Sequence, residues 1–150
     1  MEKILFYEGR WYFLSNFSSF VVFWRGLDWM TAEHAYQAAK FDDPIIRLLV
    51  RDARSAHDAK KVARANQHKV RPEWRQDPTV KLGVMEEILR AKLSQHSYIE
   101  EKLLETGEAL IVEDSHKDGF WGRGPDWKGE NHLGRLWMKL RDERRPQLAT

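Results

Sequence analysis

The chain has 150 residues, of which 42% are hydrophobic, and a formal net charge of +2 at pH 7, values typical of a folded domain. It contains no cysteine, which excludes disulfides, thiolate metal sites and a cysteine nucleophile. Its first residues lack a signal-peptide pattern, and no apolar run approaches the ~18 residues that cross a bilayer. We therefore expect a single cytoplasmic domain over residues 1–150 without a membrane partner.

Aromatic and β-branched side chains dominate residues 4–30 and predict short strands. Arg25 and Gly26 separate two apolar runs, a pattern that predicts a hairpin. From Thr31 onward the chain is rich in alanine, which predicts a helix over residues 32–41 with Thr31 as its N-cap.

Caps, prolines and apolar residues at a spacing near 3.6 predict further helices over residues 42–53, 55–66, 79–95, 97–107 and 131–145. Ser97 and Glu100 have the spacing of a capping box, and Gly107 is typical of a helix stop. Residues 109–113 predict a short buried strand. Together the elements indicate an α+β fold, a mostly helical single domain with a small N-terminal sheet.

The helix predicted after Thr31 carries three polar residues on one face. Glu33, Gln37 and Lys40 are spaced i, i+4 and i+7 along it. A carboxylate, an amide and an amine in line can supply an acid/base, an orienting group, and a cation or amine nucleophile. The alternative is a solvated stripe in which Glu33 complements the helix N-terminus and Lys40 is exposed.

Residues 118–137 contain five of the nine glycines and three of the seven tryptophans. Glycine allows the backbone to turn and to approach a ligand closely, and the segment leads into a helix N-terminus, which favours an anion such as phosphate. The alternative is that the glycines form turns, the tryptophans fill a core, and Asn131 caps the helix.

Other patterns point away from common ligand classes. His34 and His132 lack the spacing of a helical zinc site, and the chain has neither a Walker motif nor a GxGxxG motif. The short basic segments at residues 60–64 and 70–75 are typical of a solvated helix face. The sequence therefore predicts no metal and no cofactor.

Five motifs, in this order, resemble the NADAR family, which includes the YbiA-like N-glycosidases. They are LSNF at 14–17, WMTAEHAYQAAK at 29–40, RPEW at 71–74, TGEALIVE at 106–113 and the glycine-rich block at 118–141. The resemblance covers nearly the whole chain.

The resemblance implies hydrolysis of the N-glycosidic bond in phosphoribosylamino-pyrimidine intermediates of riboflavin synthesis, with release of ribose 5-phosphate. One alternative is a hydrolase that removes ADP-ribose from guanine, for which modified nucleic acid would be the partner. Another is a non-catalytic ADP-ribose-binding module. The substrate in the first case is a small phosphoribosyl molecule.

The resemblance implies that the site includes Glu33, Lys40, Asp118, Trp121, Gly122, Gly124 and Asn131. The remaining candidates are predicted without the resemblance. Glu33, Lys40 and Asp118 are predicted to be catalytic, with Lys40 acting either as a charge or as an amine that forms an imine with the opened ribose. The predicted substrate-binding residues are Arg10, Asn16, Trp29, Gln37, Trp121, Gly122, Arg123, Gly124 and Asn131. Among these, Trp121 is expected to stack on the substrate and Arg123 to receive phosphate. The Glu33 stripe and the glycine-rich block are predicted to form opposite walls of one cleft.

Overall fold

The computed structural model describes residues 2–146, which form two compact units. One unit is Asn16–Gln95, and the other combines residues 2–15 with residues 96–146. Helices predominate and the strands are short, so the predicted α+β class is confirmed. The ends of the domain predicted over 1–150 lie outside the described residues.

The described residues contain short strands, α-helices and two 3-10 helices. The strands are β1 (Lys3–Phe6), β2 (Val22–Trp24), β3 (Leu27–Trp29) and β4 (Leu110–Glu113). The α-helices are α1 (Ala32–Ala38), α2 (Pro44–Arg51), α3 (Ala56–Ala65), α4 (Pro72–Gln76), α5 (Pro78–Gln95), α6 (Ser97–Glu105) and α7 (His132–Arg144). The 3-10 helices are Gly9–Leu14 and Gln67–Lys69. No helix in the described range 2–146 combines the length and apolarity that crossing a bilayer requires.

In the unit Asn16–Gln95, strands β2 and β3 form the predicted antiparallel hairpin. Its turn consists of Arg25 and Gly26, both with positive φ, at 49° and 82°. Two consecutive positive φ angles match the right-handed twist of the flanking strands, which is why glycine is favoured here. The hairpin prediction is confirmed.

Helix α1 is the buried centre of this unit, in contact with α2, α3 and α5. Thr31 Oγ1 accepts a hydrogen bond from His34 N at 3.2 Å, which confirms Thr31 as the N-cap. Glu33 N donates to Asn16 O at 3.0 Å, so a second orphan donor of the first turn is also satisfied. Both bonds fix the start of the helix that carries the polar stripe.

In the other unit, β1 and β4 pair in parallel, with Lys3 opposite Leu110. Helix α7 packs on β4, and Trp137 is fully buried with its indole N–H donating to Leu14 O at 3.0 Å. Strand β1 therefore pairs with a strand that is far away in the sequence, and no local sequence pattern indicates this pairing.

Two local predictions are wrong. The aromatic residues at 9–14 form a 3-10 helix, and not a strand, after Gly9 takes a positive φ of 75°. Ser97 does not cap α6, because it already lies inside the helix and His96 occupies the cap position without a side-chain bond. Glu100 instead accepts a hydrogen bond from Arg144 Nη1 at 3.0 Å, a contact with α7 that replaces the predicted capping box.

Candidate active site

Glu33 is held inside the unit Asn16–Gln95. Its side chain is buried, with 7% of the residue exposed, and its Oε1 accepts a hydrogen bond from Gln37 Nε2 at 2.7 Å. Burial raises the pKa of Glu33 above its ordinary value, while the Gln37 hydrogen bond and the charges of Lys60 and Lys40 act in the opposite sense. The solvated-stripe alternative is therefore wrong for Glu33.

Lys40 follows one turn after Gln37 and is partly buried. Burial lowers the pKa of Lys40 to about 8, and the Glu33 carboxylate partly offsets that effect. The neighbouring charges of Lys60, Lys81 and Arg75 lower the pKa of Lys40 further. The amine can thus lose its proton close to neutral pH, which an exposed lysine does not do.

Gln37 and Lys40 line a pocket of about 370 Å³ formed within this unit. The indole of Trp74 supplies an apolar wall, and that ring packs against Tyr36 with ring centroids 5.3 Å apart. The pocket also contains four cationic residues that sequence reasoning did not place in a site, namely Lys60, Arg64, Arg75 and Lys81. A volume of this order suits a small molecule.

Two residues that are hydrogen-bonded to Glu33 each have a buried amide oxygen. Gln37 Oε1 and Asn16 Oδ1 have no hydrogen-bond donor among residues 2–146. Asn16 is tied to Glu33 through its backbone carbonyl, and its Nδ2 contacts Met85 Sδ at 3.4 Å. A buried acceptor without a donor is destabilising, so both oxygens are suited to a ligand that donates hydrogen bonds.

His34 and the predicted site residue Trp29 are both buried in this unit and hydrogen-bonded to its other residues. His34 is fully buried, with Nδ1 2.7 Å from Thr31 Oγ1 and Nε2 2.9 Å from Ala53 O, which makes it a packed core residue. Trp29 is buried and donates from Nε1 to Trp24 O at 3.1 Å. Trp29 lines a different pocket, of about 400 Å³, from the one that contains Gln37 and Lys40.

The glycine-rich block belongs to the other unit, and its polar side chains hold the loop together. Asp118 Oδ1 accepts hydrogen bonds from Phe120 N at 2.9 Å and Trp121 N at 2.8 Å. The half-buried indole of Trp121 meets the Phe120 ring edge-on, with centroids 4.8 Å apart. These bonds explain why aspartate stands at position 118, and its catalytic role stays a prediction.

Arg123 is already engaged by its own loop. Its Nε donates to Asp114 Oδ1 at 2.5 Å, and its guanidinium lies 3.9 Å from the centroid of the Trp127 ring. Gly122 leaves no room for a side chain, since a Cβ there would lie 2.9 Å from Glu113 O. Gly124 has a positive φ of 68°, a conformation that favours glycine. The glycines therefore have a conformational role in this loop.

Asn131 joins the loop to strand β4. Its Oδ1 accepts from Glu113 N at 2.9 Å, and its Nδ2 donates to Ile111 O at 2.9 Å. Asn131 occupies the N-cap position of α7, as the alternative predicted, but it has a left-handed φ of 52° and its side chain makes no cap bond. Arg10 is exposed, with its guanidinium 4.7 Å from the Trp11 ring centroid.

The structure thus brings together Glu33, Gln37 and Lys40, with Asn16 bonded to the same helix turn. The cations of the pocket were missed because they come from three helices that are separate in sequence. The substrate-binding roles of the glycine-rich block, and the cleft that it was expected to share with Glu33, stay predictions.

Similarity to known proteins agrees with this picture. The NADAR domain family model matches residues 5–145. N-glycosidase YbiA of Escherichia coli (strain K12) is 38% identical over 129 residues, which cover 86% of this chain and 79% of the relative. An N-glycosidase of Nostoc punctiforme is 38% identical over 138 residues, which cover 90% of this chain and 86% of the relative.

A riboflavin biosynthesis protein of Vibrio vulnificus is 38% identical over 144 residues, and this chain spans only 38% of its length. The NMR structure of E. coli YbiA superposes with a TM-score of 0.84 at 36% identity, covering 95% of this chain and 84% of that one. With a family match along nearly the whole sequence and relatives of comparable length, the chain belongs to the NADAR domain family.

Proposed function

We propose that this protein is an N-glycosidase that hydrolyses phosphoribosylamino-pyrimidines and releases ribose 5-phosphate. The observation that carries the proposal is that a buried acid, Glu33, and a partly buried amine, Lys40, lie within range of each other's charge. Their pKa values are shifted toward neutrality from opposite sides. The N-glycosidase names of relatives 38% identical to the chain support the same reaction class.

Cleavage of an N-glycosidic bond requires a proton for the departing nitrogen and a nucleophile for the sugar carbon. Glu33 suits the proton transfer, because burial raises the pKa of its carboxyl and Gln37 fixes its orientation. The same carboxylate, once deprotonated, activates the water that completes hydrolysis.

Lys40 suits the nucleophile. Desolvation and neighbouring cations are the two influences that convert a lysine into an amine nucleophile, and both act on Lys40. A ribosylamine opens readily to an imine between C1 and the pyrimidine-bound nitrogen, whose proton passes to the ring oxygen.

The proposed steps then balance as follows. Neutral Lys40 Nζ adds to C1, and its two protons pass in turn through Glu33 to the departing nitrogen. The C1–N bond then breaks and the pyrimidine leaves as a neutral amine. C1 is now joined to Nζ as an imine. Water adds to C1, its two protons pass through Glu33 to Nζ, and the C1–Nζ bond breaks. Ribose 5-phosphate is released and Lys40 returns as a neutral amine, so one water molecule is consumed for each glycosidic bond cleaved.

The unpartnered oxygens of Gln37 and Asn16 fit this substrate class. A ribose carries hydroxyl donors and an aminopyrimidine carries N–H donors, which are the groups that these two buried acceptors lack. We assign Gln37 Oε1 to a sugar hydroxyl, because Gln37 also lines the pocket.

The test is to incubate the protein with a phosphoribosylamino-pyrimidine and, separately, with an ADP-ribosylated guanine oligonucleotide, and to measure the free sugar. We expect ribose 5-phosphate from the first substrate only. Uridine 5′-phosphate is the negative control, since its glycosidic nitrogen carries no hydrogen and cannot form the neutral imine.

Release from the oligonucleotide alone would overturn the proposal in favour of the de-ADP-ribosylating hydrolase. Release from neither substrate, with binding retained, would indicate a non-catalytic module.

A further inference from the structure

Cationic side chains from three different helices converge on the pocket beside Lys40. Lys60 and Arg64, one turn apart on α3, line it together with Arg75 from α4 and Lys81 from α5. Lys60, Lys81 and Arg75 are also the cations whose charges lower the pKa of Lys40. We call Lys60, Arg64, Arg75 and Lys81 the cation cluster.

Within residues 2–146, no acidic side chain lines the pocket that contains the cation cluster. Among the residues described, no carboxylate forms an ion pair with Lys60, Arg64 or Arg75, and the pocket lining contains neither aspartate nor glutamate. Elsewhere in the same unit Arg25 pairs with Glu87 at 3.1 Å. Like charges focused in a concave pocket repel one another and attract an anion.

We propose that the cation cluster binds the phosphate of the sugar phosphate, with Lys60 and Arg64 in direct contact with it. The inference rests on the proposed function for the identity of the sugar. It moves the phosphate away from Arg123, whose guanidinium is already bonded to Asp114 and stacked on Trp127.

The arrangement also orients the substrate. A phosphate held by α3 leaves the sugar against Gln37 and Lys40, which line the same pocket. Multiple N–H donors on lysine and arginine match the phosphate oxygens, and charge-assisted bonds of this kind are the stronger class of hydrogen bond. The cluster therefore selects phosphorylated ribosides over the corresponding nucleosides.

The test is calorimetric titration with ribose 5-phosphate and with ribose. We expect ribose 5-phosphate to bind at least about tenfold more tightly than ribose, and Lys60→Ala and Arg64→Ala each to weaken its binding by about tenfold. Lys61→Ala is the matched control, since Lys61 is an exposed lysine on the same helix that does not line the pocket, and it should leave the affinity within about twofold.

Equal binding of ribose and ribose 5-phosphate, or equal losses in Lys60→Ala and Lys61→Ala, would overturn the inference. ADP-ribose is a third ligand. If it binds more tightly than ribose 5-phosphate with the same dependence on Lys60 and Arg64, the cluster is supported and its ligand is a diphosphate-linked ribose. Thermal melting of each variant checks folding, and both substituted side chains are exposed.

The two proposals fail separately. If cluster-dependent binding of ribose 5-phosphate is observed without any glycosidase turnover, the inference stands and the proposed function falls. If sugar is released with a KM that is unchanged in Lys60→Ala and Arg64→Ala, the proposed function stands and the inference falls.

Discussion

Gln37 Nε2 lies 2.7 Å from Glu33 Oε1, one helical turn away on a helix whose residues are buried. The bond uses the amide donor of Gln37 and leaves Gln37 Oε1 without a donor at the pocket. Gln37 therefore orients the Glu33 carboxylate, while its own amide oxygen stays buried without a donor among the described residues. The pair is the structural link between the buried acid and the ligand space.

Glu33→Gln is expected to lower turnover at least about a hundredfold, because an amide can neither donate the required proton nor activate water. The fold should persist, since glutamine keeps the shape and a hydrogen-bonding oxygen opposite Gln37, and a neutral group is easier to bury. Steady-state kinetics and thermal unfolding measure both effects. Near-normal turnover of the variant would remove Glu33 from the mechanism.

The protonation of Lys40 is a second expected outcome. Burial lowers the pKa of Lys40 to about 8. The neutral fraction of the amine should then rise from about one tenth at pH 7 to about nine tenths at pH 9. Competitive acylation with acetic anhydride, followed by mass spectrometry of the Lys40 peptide, reports this fraction. Half-maximal labelling above pH 10 would contradict the neutral-amine role.

A third prediction concerns Lys92, a fully buried lysine on α5 whose Nζ donates to Ser18 Oγ at 3.0 Å. Burial lowers the pKa of Lys92 to about 7. Between about pH 7 and pH 10 the unfolded chain keeps this proton and the folded chain releases it, so the free energy of unfolding should rise with pH.

Lys92→Met should raise the melting temperature at pH 6, where the buried ammonium is charged, and should remove that part of the pH dependence. Melting both proteins at pH 6 and pH 9 isolates the contribution of Lys92. An identical pH dependence in the two proteins would show that the residue does not titrate in this window.

Two helical glycines give a matched pair for stability. A Cβ at Gly134, on α7, would lie 2.2 Å from Ile111 O, whereas a Cβ at Gly83, on α5, would meet nothing within 4 Å. Gly134→Ala should therefore destabilise by about 1–3 kcal/mol through overpacking. Gly83→Ala should stabilise by about 0.5–1 kcal/mol through reduced chain entropy. Denaturant unfolding measures both, and a similar effect at the two positions would refute the close approach of α7 to β4.

Features that depend on neighbouring residues were predictable from the sequence. The Thr31 cap and the Arg25-Gly26 turn each follow from the chemistry of a few adjacent residues, and both are confirmed. The shared face of Glu33 and Gln37 was also predictable, since helical periodicity fixes it. The predicted helix over 32–41 ends early, at Ala38, so Lys40 lies just beyond α1.

Features that depend on tertiary packing were not predictable from the sequence. Lys60 and Arg75 meet in one pocket only because α3 and α4 are positioned by the rest of the unit, and neither basic segment differs locally from a solvated helix face. The bond between Arg123 and Asp114, nine residues earlier, has no sequence signature, and the phosphate-binding role of Arg123 stays a prediction. The predicted capping box at Ser97 also fails because of a tertiary contact, since Glu100 accepts a hydrogen bond from Arg144 of α7.

The most direct test of the central claim is reductive trapping. The protein is incubated with a phosphoribosylamino-pyrimidine and borohydride. The mass of the tryptic peptide that contains Lys40 is then measured by mass spectrometry. We expect a reduced ribose 5-phosphate adduct on Lys40 that is absent in Lys40→Ala. Full-rate release of ribose 5-phosphate with no adduct on Lys40 would contradict the claim.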